Sequence, residues 1–174
     1  MSNRPQEIVV ITTGGTIEKT YDESDGSLAN RESIIKARIT SRLRLPYTGL
    51  QVFSVMSKDS LFMNDDDRSL LIQFIKSQLE KQIPIVILHG TDTMAVSAQK
   101  CFEDIKDPKV PIVFTGAMKP LGFEDSDALQ NVTEALLASK LIPAGIYLSF
   151  HGRVFKVPGV RKNRDRGTFE EIEA

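Results

Sequence analysis

A single α/β domain, built on a parallel sheet covered on both faces, is the fold the sequence predicts, and three observations predict it. Five short apolar runs, Ile8 to Thr12, Leu50 to Met56, Pro84 to Leu88, Val110 to Phe114 and Ala144 to Phe150, alternate with segments of helical periodicity. The first four runs are near-continuously apolar, as strands buried on both faces must be. The polar and glycine-bearing groups follow the runs, so they gather along one edge of the sheet.

Size and composition fit that reading. With 174 residues and 41% hydrophobic side chains, one core burying roughly 70% of the unfolded chain's surface is within reach. Lys plus Arg number 22 against 23 Asp plus Glu, and the net charge of −1 gives no general attraction to nucleic acid or to an anionic membrane. A small, near-neutral partner is expected instead. Met1 to Glu7 carries no signal-peptide pattern and no apolar run approaches the ~20 residues that span a bilayer, so a cytoplasmic location is expected. Cys101 is the single cysteine, which excludes an internal disulfide, and its neighbours Val96, Ala98, Phe102 and Ile105 mark it as a core residue. His89 and His151 lack a second His or Cys at ligand spacing, so neither a metal site nor a histidine-based triad is expected.

Each element follows from local pattern. Ile8-Val9-Val10-Ile11 places four β-branched residues in a row, and Gly14-Gly15 permits a sharp turn ahead of Thr16. Glu18 to Asn30 is polar, contains Asp25-Gly26 and reads as a loop over the strand's end. Arg31 to Leu43 sets Ile34, Ile35, Ile39 and Leu43 at helical spacing before Pro46. The second strand stops at Ser57-Lys58-Asp59-Ser60. Asn64 then precedes a helix whose first turn, Asp65-Asp66-Asp67, suits a positive helix N-terminus, and whose stripe is Leu70, Leu71, Phe74, Ile75 and Leu79. Three adjacent carboxylates point different ways on a helix, so capping rather than metal binding is expected there.

The third strand ends in His89-Gly90-Thr91-Asp92-Thr93, Met94 to Ile105 is helical, and the fourth strand ends in Thr115-Gly116-Ala117-Met118-Lys119-Pro120. Asp125 to Lys140 sets Ala128, Leu129, Val132, Leu136 and Leu137 on one face of a further helix, and the fifth strand ends in His151-Gly152-Arg153. The chain then turns basic, with Arg153, Lys156, Arg161, Lys162, Arg164 and Arg166 interleaved with Pro158-Gly159 and Gly167. Residues 1–152 therefore read as the α/β domain, and 153–174 as its basic arm or hairpin, outside the core.

Four strand ends should converge on one crevice: Gly14-Gly15-Thr16, Ser57-Lys58-Asp59, Gly90-Thr91-Asp92 and Gly116-Ala117. A threonine hydroxyl attacks at neutral pH only if a base takes its proton. With no histidine at hand, that base must be a tyrosine, a lysine or a relay, and Tyr21 follows Thr16 on the same loop. Thr91 and Asp92 form a second hydroxyl-carboxylate set, and backbone amides in glycine-flanked turns can line an oxyanion hole. Asp92 or Asp59 suits a substrate ammonium, while Ser57 and turn amides suit a carboxylate. These are parts for acyl transfer on a small zwitterion. Each part also has a plain structural reading, since Gly-Gly makes tight turns and Gly-Thr-Asp-Thr makes a helix N-cap. The sequence lacks the G-x-G-x-x-G pattern and the Gly-Lys-Thr or Gly-Lys-Ser of nucleotide sites.

Thr13-Gly14-Gly15-Thr16-Ile17, His89-Gly90-Thr91-Asp92-Thr93 and Thr115-Gly116-Ala117-Met118-Lys119-Pro120, in this order and spacing, closely resemble the N-terminal domain of bacterial-type L-asparaginases over roughly residues 8 to 165. The resemblance implies a flavodoxin-like, three-layer α/β sandwich and hydrolysis of L-asparagine to L-aspartate and ammonia through a threonine acyl-enzyme, with no metal or organic cofactor. By motif it implies Thr16 as nucleophile, Tyr21 as the loop tyrosine and Thr91 as the second catalytic threonine. The lysine paired with that threonine falls on Lys162 through Val160-Arg161-Lys162, with Lys156 as competitor. Asp92 would bind the substrate amino group and Ser57 its carboxylate, with Gly15, Lys58, Gly90 and Ala117 completing the pocket. Tyr21 lies nearer to Thr16 than is usual in the family, because the first loop is shortened. The sequence reaches only to where the family's second domain begins, so the basic tail or a partner subunit is expected to close the crevice, and a homo-oligomer, dimer or tetramer, is expected. The rival reading is a non-catalytic binder of aspartate or asparagine, or an amidohydrolase leaning towards glutamine.

Overall fold

The computed structural model describes residues 4–30 and 35–172. Its main sheet runs in the order β4 (Thr48–Lys58), β1 (Gln6–Gly14), β5 (Ile85–Leu88), β6 (Pro111–Thr115), β7 (Gly145–Phe150) and β8 (Arg153–Lys156). The first five strands are parallel and β8 is antiparallel to β7. This is the flavodoxin-like order, with the second long strand outside the first and the rest added on the other side.

Strand alternation divides the core into two layers. Val9, Ile11, Ile85, Ile87, Ile112 and Phe114 face α2 (Asp65–Leu79) and α3 (Met94–Asp104), through Leu71, Ile75, Ala98 and Cys101. Ile8, Val10, Val86, Leu88 and Val113 face α4 (Ala128–Leu141), through Val132, Ala135 and Leu136, together with Leu43 and Leu45, which follow α1 (Ile35–Arg42). Cys101 is fully buried, and burial pushes its thiol up to about 12, so it stays protonated at neutral pH.

The acidic turn is a cap. Asn64 Oδ1 accepts from Asp67 N–H at 3.0 Å, and Asp67 Oδ2 accepts from Asn64 N–H at 2.9 Å, which closes a reciprocal capping box at the start of α2. The polar stretch expected as a plain loop carries a small hairpin, β2 (Lys19–Tyr21) with β3 (Leu28–Asn30), turning through Asp22, Asp25 and Gly26. Of the helix expected over 31–43, residues 31–34 lie outside the described residues.

The basic tail forms the expected hairpin, β9 (Val160–Asn163) against β10 (Thr168–Glu171), but it does not stand outside the core, and it also adds β8 to the main sheet. Phe155, Val157, Val160 and Phe169 are buried in the same layer as α2 and α3. The tail alternates these apolar residues with Arg and Lys, so one face packs while the cations face outward.

Candidate active site

The chain leaves β1 for β4 on one side and returns past β1 to β5 on the other, so the crevice between neighbouring loops opens at the carboxyl ends of β1 and β5. Two glycines let the backbones meet there. Gly14 and Gly15 both have positive φ, at 95° and 82°, and a Cβ on Gly15 would stand 2.4 Å from the Gly90 Cα. Strand ends β1 and β5 therefore touch backbone to backbone.

Thr16 opens a single 3-10 turn directly after this contact. It is half-buried, and among the described residues its hydroxyl has no hydrogen-bond partner. Thr12 and Thr13, by contrast, are fully buried, and Thr13 Oγ1 donates to the Leu88 carbonyl at 3.0 Å. Of the three threonines at this strand end, Thr16 is the one that is not fully buried. Behind it, buried Glu18 accepts a short hydrogen bond from Gly14 N–H. Tyr21, on β2, is 62% exposed and does not contact Thr16 through any hydrogen bond.

The third strand end carries the densest polar cluster. Lys162 Nζ, arriving on β9, donates to Thr91 Oγ1 at 2.8 Å and to Asp92 Oδ1 at 3.0 Å. Thr91 is buried and Lys162 nearly so, which strengthens both contacts. Arg164 reaches the same Asp92 oxygen at 3.0 Å. Lys156 lies exposed on β8 opposite Tyr147, so the structure brings Lys162, and not Lys156, to Thr91. His89 stands at the head of this motif with its ring wholly buried and its Nδ1 2.8 Å from the Gly90 carbonyl. Burial lowers its pKa to about 4, so the imidazole is neutral at pH 7.

Around the rim the other strand ends are already paired. Ser57 is exposed at the end of β4, and Lys58 Nζ binds Asp67 Oδ2 at 2.6 Å. Asp59 binds Lys19 at 2.7 Å. Partial burial pushes its carboxyl up, but the hydrogen bonds from Lys19 and the Leu61 N–H outweigh this and hold it below the usual carboxylate range. Asp59 is thus committed to the Lys19 ammonium. Ala117 is buried in the turn after β6, whose Met118 and Lys119 N–H groups both donate to Asp127. A groove of about 700 Å³ runs outward from Asp92, Lys162 and Arg164 between α3 and the β9–β10 hairpin. Among the described residues, no three His, Cys, Asp or Glu side chains converge as a metal-ligand set.

Two features escape sequence reasoning. Arg164 sits at a hairpin turn and only the fold brings it to Asp92. Asp127, His151 and Thr168 form a hydrogen-bonded chain although 24 and 17 residues separate the histidine from its two partners. Spacing to a second His or Cys cannot reveal partners that are a carboxylate and a hydroxyl.

Comparison with known proteins agrees with this geometry. The family model described as "Asparaginase, N-terminal" matches residues 7–173. The L-asparaginase of Thermococcus kodakarensis is 26% identical over 162 residues, covering 92% of this chain and 49% of that protein. A glutamyl-tRNA(Gln) amidotransferase subunit of Halobacterium salinarum is 30% identical over 148 residues, covering 83% of this chain and 34% of that protein. Among solved structures, the thermostable T. kodakarensis L-asparaginase superposes with a TM-score of 0.84 at 25% identity, covering 96% of this chain and 51% of that one. L-asparaginase I of Vibrio cholerae superposes with a TM-score of 0.80 at 26% identity, with the same shares covered. The chain thus spans about half the length of these asparaginases. With the family model matched over nearly its whole length, this chain belongs to the asparaginase family and corresponds to its N-terminal domain.

Proposed function

We propose that the protein hydrolyses L-asparagine to L-aspartate and ammonia, with Thr16 as nucleophile. The observation that carries this reading is the Lys162 ammonium held between Thr91 Oγ1 and Asp92 Oδ1, a proton-transfer group assembled from segments some 70 residues apart at the mouth of the crevice. Thr16 Oγ1 attacks the side-chain amide carbon and forms a C–O bond as its proton leaves. The resulting oxyanion is met by turn amides at the β1 and β5 ends, and collapse expels ammonia after the nitrogen takes a proton. Water then cleaves the ester, returning the Thr16 hydroxyl and releasing aspartate. Tyr21 and the Thr91–Lys162 pair share the proton transfers. The pair is formed in the structure, whereas Tyr21 stands exposed on the hairpin beside Thr16. Asp92 takes the substrate ammonium by a charge-assisted hydrogen bond, and Ser57 with Gly15, Lys58, Gly90 and Ala117 surrounds the rest of the substrate. The protein works in the cytoplasm as a dimer or tetramer and needs no cofactor.

The similarity to a glutamyl-tRNA(Gln) amidotransferase component, at 30% identity, supports a second reading in which the same threonine chemistry releases ammonia from a different amide, glutamine first among them. Ammonia release from asparagine and from glutamine, measured with wild type and Thr16→Ala, tests both. Asparagine turnover that exceeds glutamine turnover and drops at least about 10³-fold in Thr16→Ala is the expected result. Equal background release by the two proteins would overturn the enzyme reading.

A further inference from the structure

We propose that His151 is a positioning residue: it ties the hairpin that carries Lys162 to the turn that carries Ala117, and so holds the Lys162 ammonium on Thr91. The proposal deepens the amidohydrolase reading and rests on it for its kinetic part. It starts from a conformation. His151 and Gly152 join β7 to β8 as a two-residue turn with φ of 47° and 80°, a turn type that Asn, Asp and Gly fill with least strain. Histidine enters the left-handed region more readily than most side chains, so the turn admits it, and the reason to look for is what its side chain does there.

That reason is its ring, which bridges two elements. Nε2 lies 2.8 Å from Asp127 Oδ2 and Nδ1 lies 3.1 Å from Thr168 Oγ1. In its Nε2–H tautomer the ring donates to the carboxylate through Nε2 and accepts a hydrogen bond from the threonine hydroxyl at Nδ1. Asp127 is itself held from several sides: it stands at the N-cap of α4, accepts from Met118 and Lys119 N–H at 3.0 and 3.1 Å, and accepts from Asn131 Nδ2 at 2.9 Å. Asn131 and Glu134 also hold the turn, by accepting from His151 N–H at 3.1 Å and Gly152 N–H at 2.7 Å. On the far side, Thr168 begins β10, and its neighbour Phe169 packs edge-on against Phe150 with ring centroids 5.0 Å apart. Phe169 is the direct cross-strand partner of Lys162. The path is therefore continuous: Ala117 turn, Asp127, His151, Thr168 and Phe169, Lys162, Thr91.

The hairpin's backbone pairs with no strand of the main sheet, so its lateral position rests on side chains: buried Val160 and Phe169, the exposed Arg153–Glu171 pair and the His151–Thr168 bond. The sequence of carboxylate, imidazole and hydroxyl looks like a relay, but its hydroxyl end is a strand residue paired to Asn163 rather than a group at the crevice mouth. It acts as a clasp. A displacement of the hairpin by a fraction of an ångström degrades the 2.8 Å contact on which proton transfer relies, and misplacement by about 1 Å is enough to cost 10²-fold in rate.

His151→Asn keeps a residue suited to the turn while removing the bridge, and Thr168→Val removes only the hydroxyl it holds. Each should lower kcat for asparagine about tenfold with KM within twofold, and the double variant should fall no further. In a Lys162→Met background neither should lower the residual rate, because the clasp acts through that lysine. A merely structural loss would instead multiply in both backgrounds. A second measurement does not depend on the reaction: acylation of lysines by an amine-reactive ester, followed by peptide mass spectrometry. Lys162 should label at least about fivefold faster in His151→Asn, with Lys156 as unchanged reference. Faster Lys162 labelling supports the clasp even if wild type releases no ammonia, an outcome that would sink the amidohydrolase reading alone. Unchanged labelling with wild-type kcat in both variants would overturn the clasp and leave the amidohydrolase reading standing.

Discussion

Asp92 holds two cations on one carboxylate oxygen, and their surroundings decide what each is for. Lys162 is 16% exposed and also bonded to Thr91, whereas the Arg164 side chain is 68% exposed and touches only the carboxylate among the groups of the site. An exposed pair of this kind contributes between nothing and about 1 kcal/mol. Arg164 is therefore readily displaced, and on the proposed function a substrate ammonium at Asp92 would compete with it. In Arg164→Ala, KM for asparagine should fall about threefold with kcat within twofold; a rise in KM would show that the guanidinium helps the substrate bind. Lys162→Met should slow acylation at least about 10²-fold in single-turnover measurements, and Lys156→Met should leave it unchanged. The reverse pattern would move the relay to β8. At this scale the meeting of the glycine-bearing turns was legible in the sequence, because each follows an apolar run and so falls on one edge of the sheet, although each turn alone also has a plain structural use. Arg164 and His151 were not, because their meaning lies in partners brought from other elements.

Elements follow the same division. The apolar runs and the capped helix α2 announce themselves locally: one side-chain oxygen of Asn64 and the acidic first turn suffice to start it. Asn64→Ala should cost about 1 kcal/mol and lower Tm by about 2–4 °C, read by thermal unfolding. No change in Tm would mean that Lys58, which also grips Asp67, holds the helix start unaided. The strands that sequence reasoning lost are the short ones. β2 and β3 contain three residues each, too few to display a period, and they pair only with one another. In the tail, the alternation of Phe155, Val157, Val160 and Phe169 with basic residues is visible, but two glycines and a proline disguise it as loop. Long-range contacts, such as Phe169 with Phe150 and Phe155 opposite Leu148, turn this segment into core.

For the whole molecule, acid stability follows from the buried motif histidine. His89 has a pKa of about 4 in the fold against 6.5 when free, so the unfolded chain binds a proton that the folded chain refuses. The folded pKa is depressed; its contribution is therefore complete above pH 6.5 and drains away as pH falls towards 4. The slope for one such proton approaches about 1.4 kcal/mol per pH unit. Urea unfolding at pH 7, 6 and 5 should show stability falling towards that slope, while Asp59 and Asp127, held below the usual carboxylate range, add their losses at still lower pH. A flat profile between pH 7 and 5 would mean that the ring takes up a proton in the folded state.

The meeting of Gly15 with Gly90 sets a limit on how this crevice can diversify. Its floor is main chain pressed on main chain, with no room for even a methyl group at Gly15. Substitution cannot deepen or fill such a floor without parting two central strands. On the proposed function, a change in the length or charge of the substrate accepted would therefore be written on side chains such as Tyr21, Ser57, Asp92 and Arg164, which can be exchanged while the sheet stays as it is.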